Sequence, residues 1–196
     1  MRKIPNHLEN PFDNLIYIVV EFLAPFCYML KMTPNFITTL SILSGIISAY
    51  CIFTYNFGLS AIFYSMAYIF DCLDGYVARK YKMVTKFGDI YDHFGDIIKV
   101  ILLVIAFCYV NTTLFLYFLP ILLYLFFMSC MHLGCQETYY KEPESDWLNV
   151  LKVLCNAKSE KELQNKMSYT KYFGVGTLTL FLIIMMLVYG EYYSEK

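Results

Sequence analysis

Charge is what this chain has least of. Asp, Glu, Lys and Arg make up 16% of its 196 residues and nearly cancel, leaving a formal net charge of −1. With no basic or acidic excess to hold a charged polymer, no nucleic-acid partner is expected. The seven cysteines include no C-x-x-C pair and no zinc-ligand spacing, and most lie in apolar runs. They read as small hydrophobic side chains. The N-terminal stretch lacks the short basic start, clean apolar core and small-residue cleavage site of a signal peptide. In place of charge there is apolar surface. Hydrophobic residues make up 59% and aromatic residues 19%, and the mean hydropathy is +0.51. That is more than a water-soluble domain of this size requires.

A helix crosses the hydrocarbon layer of a bilayer with about 20 apolar residues. Five stretches meet that need, at 36–55, 57–78, 88–110, 113–134 and 172–190, with "YNFG" and "VNTT" as short breaks and "ARKYKMVTK" between the second and third. Pro120 sits inside the fourth span, where neighbouring helices accommodate a kink. The piece before them, "ENPFDNLIYIVVEFLAPFCYML", is apolar but carries Asp13, Glu21 and Pro25. It predicts an amphipathic helix lying in the membrane interface, with a sixth span as the alternative. A second amphipathic helix is expected at 145–157, "SDWLNVLKVLCNA".

The expected fold is therefore an all-α integral membrane protein, a bundle of five to six transmembrane helices behind an N-terminal interfacial helix. Its parts are an interfacial segment at 1–31, a transmembrane core at 32–134, a polar loop at 135–171, and a last transmembrane helix with a short tail at 172–196. Arg79, Lys80, Lys82 and Lys86 follow the second span and Arg2, Lys3 and Lys31 precede the first, whereas 55–58 and 110–113 carry no Lys or Arg. The 135–171 stretch carries six lysines, matched by acids. Positive charge stays on the cytosolic side, so the N-terminus, the 79–87 loop and the 135–171 stretch are expected in the cytosol.

One stretch breaks the apolar pattern. "FDCLDGYVARKYKMVTKFGDIYDHFGDIIKV", 70–100, places Asp71, Asp74, Asp89, Asp92 and Asp96 where two apolar runs meet. Carboxylates in a bilayer are costly and point to function. Helical residues advance about 100° each. Asp71, Asp74, Gly75, Ala78 and Arg79 then share one face at the end of the second span. Gly88, Asp92, Gly95, Asp96 and Lys99 share a face at the start of the third, with Asp96 deeper than the other acids. Helices joined by a short loop are antiparallel neighbours, so Asp71, Asp74, Asp92 and Asp96 are expected to converge. Such a group needs compensating charge. All-oxygen ligands suit magnesium, manganese or calcium rather than zinc, and two ions can clamp a phosphoryl group during in-line displacement. Gly75, Ala78 and Gly88 leave room for a ligand or a helix, and Arg79 is placed to meet phosphate oxygens.

Other residues carry two readings. Asp89 reads as an interfacial ion-pair partner of Lys80, Lys82 or Lys86, and His93, off the acidic face, as packing. His132 stands where it reaches either the site or the headgroups. Asn35, Thr38 and Thr39 either cap the helix that starts at Pro34 or hydrogen-bond a nucleotide. Lys99 either pairs with Asp96 or meets a substrate phosphate. A channel or transporter would spread its acids through the membrane depth, and an inactive scaffold is the other rival.

The spacing D-x2-D-G-x2-A-R-x8-G-x3-D-x3-D reads here as "DCLDGYVAR", "KYKMVTKF" and "GDIYDHFGD". It resembles the signature of the class-I CDP-alcohol phosphatidyltransferase family, with every fixed position met. "MTPNFITTLSILSG", 32–45, is similar to the family's first-span entry, and the likeness extends over about residues 10–135. The resemblance implies a transferase of phospholipid biosynthesis in the membrane. A CDP-linked donor loses CMP, and its remaining phosphate passes to an alcohol acceptor. It implies Asp71, Asp74, Asp92 and Asp96 as ligands of two divalent ions, Mg2+ or Mn2+, and Asp96 as the catalytic base. Gly75, Ala78, Arg79 and Gly88 are implied as the CDP-binding set, with Asn35, Thr38 and Lys99 as further candidates for substrate binding. CDP-diacylglycerol with a water-soluble acceptor is the expected donor pairing. The histidine in "DHFGD" keeps CDP-choline or CDP-ethanolamine with diacylglycerol as the alternative. Family members commonly show six spans, and a homodimer is left open.

Overall fold

A computed structural model describes residues 2–140 and 146–195, with side chains left aside for 146–149. Every regular element among the described residues is helical. In chain order they are α1 (Pro11–Met29), α2 (Pro34–Phe53), α3 (Phe57–Lys80), α4 (Lys86–Tyr140), α5 (Asp146–Cys155), α6 (Glu160–Thr170) and, after a 3-10 turn at Lys171–Phe173, α7 (Val175–Ser194). The start expected for the second amphipathic helix, Ser145, lies outside the described residues, as does Lys141 of the polar stretch.

α4 is two helices in sequence. Asn111 leaves the helical region at φ −160° and ψ 91°, and its side chain accepts a hydrogen bond from the Leu114 amide at 2.9 Å to start the second half. The halves pack on each other, with Phe107 and Phe115 stacked 6.4 Å apart. This break falls within the expected "VNTT" loop. By length and composition Pro11–Met29, Pro34–Phe53, Lys86–Tyr140 and Glu160–Ser194 can cross a membrane. The 24-residue α3 carries the first part of the acidic stretch and lies outside that set. α1, expected as an interfacial helix, is itself long and apolar enough to span, and it packs on α3 and α7.

Tight turns hold α1 to α4 side by side. Each ends in a non-glycine residue with positive φ: Lys31 (55°), Tyr55 (60°) and Lys82 (56°). The following amide then reaches back over the last helical turn, Met32 to Cys27 O at 2.9 Å, Asn56 to Cys51 O at 2.7 Å and Met83 to Ala78 O at 2.8 Å. These are Schellman closures, which usually use glycine. At the starts, Asn10 and Thr33 cap α1 and α2 through their side chains, each followed by proline.

α2 packs chiefly on α3 and α4, through a small-residue seam that lets backbones approach. Ser41 donates to Ala67 O at 2.9 Å and Ser48 to Ser60 O at 3.0 Å. One apolar core, including Ile52, Phe57, Phe107, Met185 and Tyr189, fills the bundle at the end remote from the acids. A second, including Val20, Ile37, Leu73 and Val77, joins α1, α2 and α3.

The N-terminal residues form a strap across the other end. Ile4 and Leu8 pack with Cys135, Cys155, Leu163 and Met167. Asn10 donates to Lys171 O at 2.6 Å, and Lys3 pairs with buried Glu137. Here the reading of all cysteines as inert hydrophobes is corrected. Cys135 and Cys155 are bonded as a disulfide, tying the end of α4 to the end of α5. No local spacing announces a pair 20 residues apart. The close seating of Gly134 against the Leu151 backbone brings the two together.

Candidate active site

The last three turns of α3 and the first four of α4 run antiparallel, and α2 crosses beside both. Asp71, Asp92 and Asp96 each bring a carboxylate oxygen within 4.8 Å of the others. Asp74 stands outside that trio, buried, and accepts a hydrogen bond from the Thr38 hydroxyl at 2.6 Å. Lys99 donates to Asp71 Oδ1 at 2.7 Å and to Asp96 Oδ1 at 2.8 Å. The expected i, i+3 pair is present, and a second carboxylate shares the same ammonium. The Asp96 side chain is the most open of these groups, 48% exposed against 23% for Asp71. Depth along the helix therefore does not seal it away.

Two cavities flank this cluster. On one side a cleft of about 100 Å³ is lined by Asn35, Thr38, Asp74, Gly75, Ala78, Arg79, Thr85, Gly88, Asp89 and Asp92, among others. Its small residues matter for shape. A side chain added at Gly75 would lie 3.2 Å from the Arg79 guanidinium, and one at Gly88 would lie 2.9 Å from Asn35 Oδ1 and 3.0 Å from Thr85 Oγ1. On the other side Asp71, Asp96 and Lys99 line a mostly apolar cavity of about 190 Å³, with Tyr64, Tyr68, Phe126 and Leu178. Val100, Phe126, Leu178 and Leu182 also line a wholly apolar cavity of about 280 Å³ between the two halves of α4 and α7. The apolar space thus runs from the acids toward the Asn111 break.

The acids fit a divalent cation. Asp92 Oδ1 is buried and has no hydrogen-bond partner, a costly state for a polar oxygen unless a cation meets it. The donors are carboxylate oxygens alone, the set preferred by Mg2+ and Mn2+.

Other expected residues are placed as follows. Thr39 turns from the cleft to Asn35 O at 2.8 Å and Tyr91 Oη at 3.0 Å. Asp89 faces His93, whose Nδ1 lies 3.5 Å from the carboxylate and 2.8 Å from the Asp89 carbonyl. His132 is buried at the strap. Its Nδ1 lies 3.0 Å from Thr170 Oγ1, and the Gln136 amide donates to Nε2 at 3.1 Å. A ring with both nitrogens engaged there is not part of the acid cluster. Among residues the sequence reading missed, Thr85 caps α4 by accepting from the Gly88 amide at 3.0 Å. Ser41 and Gly45 of α2 border Lys99. A threonine just before the start of α4 is a legible cap signal. The roles of Ser41 and Gly45 depend on a neighbouring helix and leave no local signal.

Comparison with known proteins gives a consistent result. A family model described as CDP-alcohol phosphatidyltransferase matches residues 31–194. The chain is similar to the CDP-diacylglycerol–glycerol-3-phosphate 3-phosphatidyltransferases of Rickettsia typhi and Rickettsia prowazekii. Identity to each is 47% over 38 residues, covering 19% of this chain and 21% of theirs. It is similar also to the CDP-diacylglycerol–inositol 3-phosphatidyltransferase of Candida albicans, 38% identical over 63 residues, 32% of this chain and 27% of that one. The chain thus spans about a fifth to a quarter of the length of the curated relatives it matches. No solved structure matches.

Proposed function

The chain belongs to the CDP-alcohol phosphatidyltransferase family, and on that footing we propose that it transfers a phosphatidyl group from CDP-diacylglycerol to a small alcohol, releasing CMP. The observation that carries this reading is that one carboxylate cluster is flanked by two cavities of opposite character. The polar cleft suits the cytidine diphosphate, and the apolar cavities suit the acyl chains.

In this reading Asp71, Asp74, Asp92 and Asp96 hold two divalent ions. When bound, the ions supply positive charge for the diphosphate and the departing CMP. Arg79 meets the phosphates from the cleft wall, with Asn35 and Thr38 as polar contacts. Gly75, Ala78 and Gly88 let the nucleotide lie close to the backbone. Thr38 also fixes Asp74 through its 2.6 Å hydrogen bond. The acceptor hydroxyl approaches beside Asp96, whose open side chain takes the proton. The new bond forms between the acceptor oxygen and the β-phosphorus. The bond from that phosphorus to the oxygen of CMP breaks, and CMP leaves with the electron pair.

CDP-diacylglycerol is favoured as donor because the curated relatives named above carry it in their names. The histidine that invites the CDP-choline reading, His93, is turned to Asp89 and lends that reading no support. α1 is taken as the interfacial helix, the core at 32–134 as the catalytic unit, and the acidic end as cytosolic. The 135–171 stretch then lies on that same face, with 172–196 as the last span and tail. In a reducing cytosol, where disulfides are rare, Cys135 and Cys155 would stand as thiols. Their oxidation state in isolated membranes is thus a readout of sidedness.

Release of labelled CMP tests the reaction. Membranes containing the protein are given CDP-diacylglycerol with glycerol 3-phosphate or inositol, and CDP-choline or CDP-ethanolamine with diacylglycerol. Release is expected with CDP-diacylglycerol and one water-soluble acceptor, dependent on Mg2+ or Mn2+ and abolished by chelator. Absence of release with every pairing would sink the proposal, and release only from CDP-choline or CDP-ethanolamine would move it to the alternative.

A further inference from the structure

We infer that Lys99 is a fixed internal cation of the acidic cluster, which partly neutralises Asp71 and Asp96 and restrains the affinity of the site for divalent ions. The inference rests on the reading of the aspartates as metal ligands. An ammonium has three N–H donors and no acceptor, and all three are engaged: Asp71 Oδ1 at 2.7 Å, Asp96 Oδ1 at 2.8 Å and Ser41 Oγ at 2.8 Å. The partners come from α3, α4 and α2, so the head group is held from three sides. Ser41 commits its own proton to Ala67 O at 2.9 Å and therefore presents only lone pairs to Lys99.

The stem is seated with equal closeness. A Cβ at Gly45 would come 2.6 Å from Lys99 Cγ and 2.9 Å from Cδ, so α2 carries a glycine where the lysine passes. Lys99 as a whole is buried, at 7% exposure. A lysine walled along its stem and using every donor has none left for a substrate phosphate, so the inference sets Lys99 apart from the substrate contacts. Each acid meets Lys99 through Oδ1, so the ammonium itself does not take the Oδ2 atoms, through which a divalent cation would be held. The positive charge acts on that cation too. It repels a divalent ion bound to the same carboxylates, while relieving their mutual repulsion before one binds.

Mn2+ binding to the purified full chain in detergent, read from the electron paramagnetic resonance of free Mn2+ without substrate, tests this. Lys99→Gln keeps a polar head but removes the charge, and is expected to bind Mn2+ about tenfold or more tightly. Lys99→Arg keeps the charge and should stay within about threefold of the wild type. In Lys99→Gln, kcat should change while the KM values of both substrates stay within about twofold. Equal or weaker Mn2+ binding by Lys99→Gln, or a KM rise confined to one substrate, overturns the inference. Mn2+ binding lost in Asp92→Asn but unchanged in Lys99→Gln overturns it while leaving the ligand reading intact. No Mn2+ binding by the wild type overturns the ligand reading, and the inference with it. If Lys99→Gln does not fold, Gly45→Ala replaces it. The new Cβ displaces the lysine stem, a smaller tightening is expected, and unchanged Mn2+ affinity overturns the inference.

Discussion

Replacing Asp92 by asparagine should stabilise the metal-free protein while destroying its activity. The carboxylate oxygens of Asp71, Asp92 and Asp96 lie within 4.8 Å of one another. At an effective dielectric of about 20, two unit charges at that distance repel by about 3.5 kcal/mol. Asp92 has two such neighbours, and Lys99 offsets part of their field from 2.7 and 2.8 Å. Asp92 Oδ1 has no hydrogen bond to lose. The net relief in Asp92→Asn is therefore about 2–4 kcal/mol in chelator, a rise in Tm of roughly 4–16 °C for a chain of this size. With saturating Mg2+ the order inverts. The wild type gains stability by binding the ion, the variant gives up most of that gain, and CMP release falls by about a thousandfold or more. Thermal unfolding in detergent, in chelator and in Mg2+, measures both halves. A Tm in chelator at or below that of the wild type, with the Mg2+ response intact, would refute the argument that these acids form one metal-binding, mutually repelling group.

Two further predictions concern residues outside that group. Burial, with Asp13 adding to it, pushes the Glu9 carboxyl up to about 7 from an ordinary 4.5, so the fold favours the protonated form. Its contribution is complete below about pH 4.5 and is lost as pH rises through about 7, amounting to about 3 kcal/mol. Glu9→Gln, which keeps the acceptor for the Gln136 amide, should flatten the pH dependence of Tm between pH 5 and 8, and an unchanged slope would contradict this. Gly88→Ala places a methyl 2.9 Å from Asn35 Oδ1. It should raise the KM for the CDP-linked donor by about tenfold with little effect on Mn2+ binding, as steady-state kinetics and metal titration would show.

The helical class and the convergence of Asp71, Asp92 and Asp96 were legible in the chain because both depend on short-range periodicity, whereas Asp74, expected with them, stands outside the trio. Apolar runs of helix-spanning length, the break at Asn111 and the helical spacing of Asp71, Asp74, Asp92 and Asp96 are local properties, set by a 3.6-residue turn and by the cost of unpaired backbone in hydrocarbon. The family signature is local in the same sense, since its eight fixed positions fall within two adjoining helices. What the tertiary structure decided lies between elements distant in sequence. Lys99 could be paired with Asp96 from spacing, but its second acid, its serine anchor and the glycine that admits its stem come from α3 and α2. Cys135 and Cys155 looked like two more small hydrophobes until α5 folded back on α4. His132 stood near the acids by depth alone, and its direction toward Thr170 and Gln136 was settled by the packing of the strap. Periodicity specifies which face of a helix a side chain occupies. Which partner that face meets depends on the rotation and crossing of neighbouring helices, and these are fixed by packing throughout the bundle.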